Sequence, residues 1–367
     1  MVFHLATTKK DKNDVKRHWK TYLLSILVLL CGCAENDVLI DVPAANYKRE
    51  VPISFIGSYV DNAATRHANE LCTHLTTMGV WGWRNGMWDD NTLAFNDQAV
   101  CYNSDSTRWE YTPLQYWREE CTYTFCAYAP HQRQTDATVS VDSATHMIHI
   151  HHVTLHGHNL QDTPTDTVKE LFRDTPDTDW MVARAGQTAV GKAGMDVEFM
   201  MQHVLAKLNI RIKADSTLLS KRFITQLTAD SIVVGALAAE GDFHQQLTHT
   251  PILTDPEEAS LEEWSVGTPT LYIKGTHACA IAASPTYLVE SLVLPQHITA
   301  EATVTLYYTY HFANGHTEQC RHRIALTDAF SRFASGHNYT LTFTVCSTRI
   351  EFEAGAKDWE EKKQTTD

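Results

Sequence analysis

Trp109-Glu110-Tyr111-Thr112-Pro113-Leu114-Gln115-Tyr116-Trp117, followed closely by Tyr123-Thr124-Phe125-Cys126-Ala127-Tyr128-Ala129-Pro130, carries the clearest structural signal in the chain. Trp109, Tyr111 and Pro113 alternate with polar neighbours, and Tyr123, Phe125 and Ala127 repeat the pattern. A period of two, rich in aromatic residues and cut by proline, describes half-buried antiparallel strands. Working outward, the same period recurs at Val51, Ile53 and Phe55, and again at Val304, Leu306 and Tyr308. It returns at Tyr339, Leu341, Phe343 and Val345, and finally at Ile350, Phe352 and Ala354. Many short strands and few helical patterns predict an all-β protein built of sandwiches. The one helix candidate is Met200 to Leu208, a stretch that also reads as strand.

A length of 367 residues suits about two domains. Gln161 to Asp179 is polar, with Thr, Asp and Pro, and reads as a long surface loop. Gln187 to Gly194 is rich in small residues and takes the domain boundary, giving domains at 33–194 and 195–367.

Residues 1–32 read as a separate object. Lys9, Lys10, Lys12, Lys16, Arg17 and Lys20 precede an apolar run from Tyr22 to Leu30, which ends at Leu30-Cys31-Gly32-Cys33. A basic start, a short apolar core and a small residue before a cysteine form a secretory signal. The quartet is similar to a bacterial lipobox, which implies that Cys33 is diacylated and becomes the first residue of the exported protein. Two acyl chains, at about 0.8 kcal/mol per buried CH₂, make a stable anchor. The acidic stretch after it, with Glu35 and Asp37, resembles the surface-export tag of some anaerobic Gram-negative bacteria.

Losing residues 1–32 removes six Lys/Arg and two Asp/Glu, which takes the formal net charge from −14 to −18. So acidic a surface repels phosphate backbones, and nucleic acid is excluded as a partner. Seven cysteines follow Cys33, without a C-x-x-C pair, so a structural zinc site has no support. Cys121 and Cys126, placed on one strand, stand about 16 Å apart, beyond the ~7 Å reach of a disulfide. Most of the seven read as small buried hydrophobes.

Chemistry-bearing constellations are sparse. His146, His149, His151, His152, His156 and His158 form a histidine run, and His149 and His151 share one face of a strand. A metal site needs further ligands held in place, and no acidic partner stands at a defined spacing, so a polar surface strand is the expectation. There is no G-x-S-x-G elbow and no Gly-rich phosphate loop, and Asp89-Asp90 sits in turn-forming sequence. No catalytic residue, metal or cofactor is expected. Trp81, Trp83, Trp88, Trp109, Tyr111, Tyr116 and Trp117 lie close together in sequence. They read as core or interface, with a surface glycan-binding face as the alternative.

Taken in order, these stretches resemble the fimbrillin family, the subunits of type V pili and related surface adhesins. Family members carry W-x-Y-x-P-x-x-Y-W and then Y-x-F-x-A-Y-A-P, which match residues 109–117 and 123–130 here. Asp179 to Ala183, His203 to Leu208, Leu294-Pro295-Gln296, Gly336 to Leu341 and Asp358-Trp359 extend the match. Arg118 departs from it, where the family often has proline. The resemblance implies two tandem transthyretin-like β-sandwich domains and a non-enzymatic pilus subunit, exported as a lipoprotein to the outer membrane. It implies other pilus subunits and an arginine-specific surface protease as partners, and a host protein or glycan as adhesion target. Cleavage would follow the first strand, at Thr65-Arg66, with Arg49 as the fallback, and a strand from the next subunit would replace the one removed.

Simple physics fits that scheme. Pro52 cannot donate a ladder hydrogen bond, so its strand favours a sheet edge. Val51, Ile53 and Phe55 each contribute roughly 1.5–3 kcal/mol when buried. A groove vacated by them would bind a strand of like alternation, and Ile350, Phe352 and Ala354 make the terminal strand the candidate donor.

Overall fold

The computed structural model describes residues 51–60, 76–85, 90–119, 121–131, 137–156, 177–183, 189–191, 195–247, 256–347 and 349–359. The first strands are β1 (Ser54–Val60), β2 (Thr77–Arg84), β3 (Leu93–Asn103), β4 (Arg108–Glu110) and β5 (Tyr123–Ala129). Next come β6 (Thr138–Asp142), β7 (Met147–Thr154), β8 (Met181–Ala183), β9 (Ala189–Gly191), β10 (Asp196–His203) and β11 (Ala206–Ala214). The helical turn α1 (Ser216–Leu219) precedes β12 (Ile224–Leu237) and β13 (Glu240–Gln246), and α2 (Pro256–Glu262) precedes β14 (Trp264–Val266). Then follow β15 (Leu271–Ala280), β16 (Thr286–Val293), β17 (Gln296–His297), β18 (Thr303–Phe312) and β19 (Thr317–Ala325). The last are β20 (Arg332–Phe333), β21 (His337–Val345) and β22 (Ile350–Asp358). The protein is all-β, as the alternation predicted.

The first sheet runs β1-β10-β8-β5-β2-β3-β4, with β9 also on β5. Alternation, interrupted by bulges in β1 and between β2 and β3, gives it two apolar faces. Met78, Val80, Tyr123, Phe125, Val197 and Phe199 point to one side, while Trp81, Trp83, Cys126, Tyr128 and Val182 point to the other. The first set closes on Trp109, Tyr111 and Trp117, so the sheet curls around its own core. Gly82 makes that curl possible, because a Cβ there would meet the Phe125 and Phe95 rings at 2.7 and 2.9 Å.

The second set joins β14-β13-β7-β6 through Ile148, Ile150, Phe243 and Trp264. The same core continues between the sheets β16-β11-β21-β22 and β15-β12-β18-β19. Ladders cross residue 194 in two places: β10 pairs with β1 and β8, and β13 pairs with β7.

Several expectations are corrected. Met200 to Leu208 is not helical but lies in β10 and β11, because Val197, Phe199 and Met201 bury one face at period two. The stretch Gln187 to Gly194, read as linker, contains β9. Pairing is not uniformly antiparallel, since β1 lies parallel to β10 and β11 parallel to β21. Of the cysteines, Cys126 is buried, Cys101 is exposed, and Cys121, Cys279, Cys320 and Cys346 are intermediate. A residue of outward parity in an edge-ward ladder, such as Cys101 opposite Glu110, stays accessible whatever its hydrophobicity.

Candidate functional site

The candidate site is the seat of the first strand. β1 is the end strand of its sheet and pairs only with β10 among the described residues. The chain before it is held differently. The Ile53 amide donates to the Gln115 carbonyl (2.8 Å) and the Trp117 amide to the Val51 carbonyl (2.9 Å). Pro52, which has no amide hydrogen, bridges to Tyr116 without breaking either bond. The 109–117 motif therefore forms one wall of the seat and β10 the other, and Thr112-Pro113 is a cis peptide within that wall.

Two side chains plug the seat. Ile53 is 1% and Phe55 4% exposed, whereas Val51 is 41% exposed. The expected three-residue plug is thus two residues, because Val51 lies ahead of the point where the chain passes over the core. Phe55 sits among four rings: Tyr111 at 5.6 Å, Phe95 and Phe199 at 5.8 Å, and Phe125 at 6.2 Å. Tyr111 donates its hydroxyl hydrogen to the Ile53 carbonyl at 2.7 Å. Burial pushes the Tyr111 phenol up to about 12, so the donor stays protonated across the physiological range. Ser54 hydrogen-bonds to Asp196 on the outer face.

At the other end of the chain, β22 is an edge strand whose partner is β21. Ile350 and Phe352 are half-buried, and Phe352 lies 6.4 Å from the Phe343 ring. Ala354, the third residue of the expected apolar set, is exposed. Cys33, Arg49 and Arg66 lie outside the described residues. Tyr111, Gln115, Trp117, Asp196 and Phe199, which hold the first strand, were not expected as site residues. The 109–117 motif signalled core, and nothing local in it says which strand it receives.

The other candidates look different in space. Trp81, Trp83, Trp109 and Trp117 are buried, so they offer no aromatic platform to a glycan, and Trp88 lies outside the described residues. The His149 and His151 rings stack at 5.4 Å, and His244 of β13 comes within 6.3 Å of His149. Burial first, and then the neighbouring imidazoles, hold His149 below the usual histidine range. Among the described residues, no three His, Cys, Asp or Glu side chains are grouped so as to hold a metal ion.

The chain belongs to the fimbrillin-like family, whose model matches residues 65–359. A fimbrial protein from Bacteroides vulgatus has a similar structure, with a TM-score of 0.57 at 14% identity, covering 84% of this chain and 100% of that one. A Bacteroides ovatus protein assigned to cell adhesion gives a TM-score of 0.50 at 15% identity, covering 86% of this chain and 99% of the other. At such identities the likeness is one of fold. No curated protein sequence matches the chain.

Proposed function

We propose that this protein is a non-enzymatic subunit of cell-surface fimbriae that assembles by exchanging strands with its neighbours. On this reading it is exported as a lipoprotein through Cys33, reaches the outer membrane, and is matured by an arginine-specific protease that cuts after Arg66. The observation that carries the proposal is the edge position of β1, with Ile53 and Phe55 filling a ready-made apolar seat. Such a strand leaves by breaking one ladder and the two main-chain bonds to Gln115 and Trp117, and the surface it uncovers is one that a replacement strand would cover again. Two further observations support it. The family match opens at residue 65, five residues past the end of β1 at Val60 and one before Arg66. Ile350-Glu351-Phe352 in β22 also repeats the spacing of Ile53-Ser54-Phe55.

The two-sandwich division is kept as part of this reading, with β10 and the β13–β14 pair counted with the first sandwich. Other subunits are then the partners, and a host protein or glycan is the target of the assembled fibre. A glycan platform of tryptophans is set aside, since those described are in the core.

The test is Arg66→Ala in the native host. The variant is expected to stay membrane-bound with its first strand attached, migrating more slowly than the wild type and absent from sheared fibres. N-terminal sequencing of wild-type protein from the cell surface should begin at His67. Equal mobility of the two proteins, with normal fibres, would sink the processing step.

A further inference from the structure

Side chains tie β22 to the core only near its start. Its ladder to β21 is unbroken from Ile350 to Asp358, yet beyond Phe352 its core-facing residues are Ala354 and Ala356, both exposed. The next residue changes the picture. Trp359 is buried and lies flat on the His203 imidazole, with ring centres 3.8 Å apart and 6° between planes. Its amide donates to the Gly336 carbonyl at 2.8 Å, and the Lys207 ammonium stands 5.6 Å from its ring. The His203 ring is itself fixed, since Nδ1 donates to the Asp179 carboxylate at 2.9 Å and the side chain is buried. A large aromatic surface buried at one point, after a run of exposed alanines, makes Trp359 the catch for this end of the strand.

His203 is the last residue of β10. Along Asp196–Met201 the registered partner of β10 is β1, while β8 accompanies only Met201–His203. β1 is thus the ladder partner of β10 over Asp196–Met201, while His203 itself pairs with Met181 of β8 and the Val204 amide beside it donates to the Trp180 carbonyl. The first described strand and the residue that closes the last one thus both touch β10.

We infer that β10 couples the two ends: loss of the first strand loosens β10, shifts His203 out from under Trp359, and frees β22. The inference rests on the strand-exchange reading above and adds its control. An unprocessed subunit would hold both its seat and its donor closed, and a single cleavage would open the two together. Premature pairing between precursors would be blocked at both ends.

Amide hydrogen exchange on the full chain tests this. A recognition sequence for a site-specific protease placed at residues 65–66 makes strand removal independent of which arginine is used in the cell. A second cleavable chain with Phe55→Ala covers the case in which the nicked strand stays bound. Removal of the strand is expected to speed exchange at Ile350–Asp358 by roughly tenfold or more, while the β11 amides keep their rates. In Trp359→Ala the uncleaved chain should already exchange fast there, and cleavage should add less than about twofold. Trp359→Phe, which keeps a ring over His203, should return most of the protection and so exclude general unfolding. The coupling is overturned if Ile350–Asp358 keeps its protection once the first strand has gone. It is equally overturned if cleavage speeds exchange as much in Trp359→Ala as in the parent. A failure of strand exchange itself looks different: β22 unlocks on cleavage, but cleaved subunits stay monomeric on native gels.

Discussion

Replacing Phe55 by alanine measures how firmly the first strand plugs its seat. The side chain is 4% exposed and touches Phe95, Tyr111, Phe125 and Phe199, so little around it can collapse into the space left. Phe→Ala in such surroundings costs about 3–5 kcal/mol, part of it from lost ring–ring contacts. Val51→Ala is the internal control: at 41% exposure its cost should stay within about 0.5 kcal/mol. Urea unfolding followed by tryptophan fluorescence reads both, since Trp83, Trp109 and Trp117 are buried around the same sheet. The expected difference between the variants is about 4 kcal/mol, seen as a lower midpoint at unchanged slope. A difference below about 1 kcal/mol would mean that the strand contributes little to the core, and the seat would then have no claim on a replacement.

Two further outcomes follow from the same geometry. Tyr111 has its folded pKa raised to about 12 from an ordinary value of 10, so its contribution is complete below pH 10 and fades as pH rises towards 12. Stability measured across that window should fall in the wild type and fall less in Tyr111→Phe, which at neutral pH loses about 1 kcal/mol with the bond to Ile53. Among the described cysteines, a thiol reagent at neutral pH should label Cys101 first and leave Cys126 untouched until unfolding, because burial pushes the Cys126 thiol far up; mass spectrometry of digests reads the order.

How much of this was legible in sequence depends on range. Period-two runs such as Tyr123–Ala129 and His337–Val345 gave strands correctly, because alternation is written locally; the second is half-buried as expected, whereas Cys126 and Tyr128 bury the other face of the first as well. Partners are not. Nothing in Asp196–His203 says that it lies parallel to Ser54–Val60, or that Glu240–Gln246 returns to Met147–Thr154, since both are settled by contacts far apart in the chain. Met200–Leu208 was open between helix and strand, because its apolar density masked a change of strand at Val204-Leu205, and it is strand on both sides of that change. A helix signal that went unread was Asp255-Pro256-Glu257-Glu258, with proline at a helix start and acids in the first turn, where α2 begins. At the site, Pro52, Ile53 and Phe55 were legible and their exposed neighbour Val51 was not, because alternation fixes parity but not where a core ends.

The ladder between β1 and β10 slips once: Phe55 faces Val197 and Ser58 faces Phe199, so three steps on one strand answer two on the other. A slot with such a slip discriminates by phase as well as by composition. A replacement segment of uniform rhythm can match only one side of the slip, and past it each bulky side chain would point the wrong way. Ile350-Glu351-Phe352 is followed by Glu353, which would fall at the slip itself, and then by Ala354-Gly355-Ala356, which offers no large group to be misdirected. In the proposed exchange, the plain tail of the last strand would let it tolerate a slot that keeps uneven time.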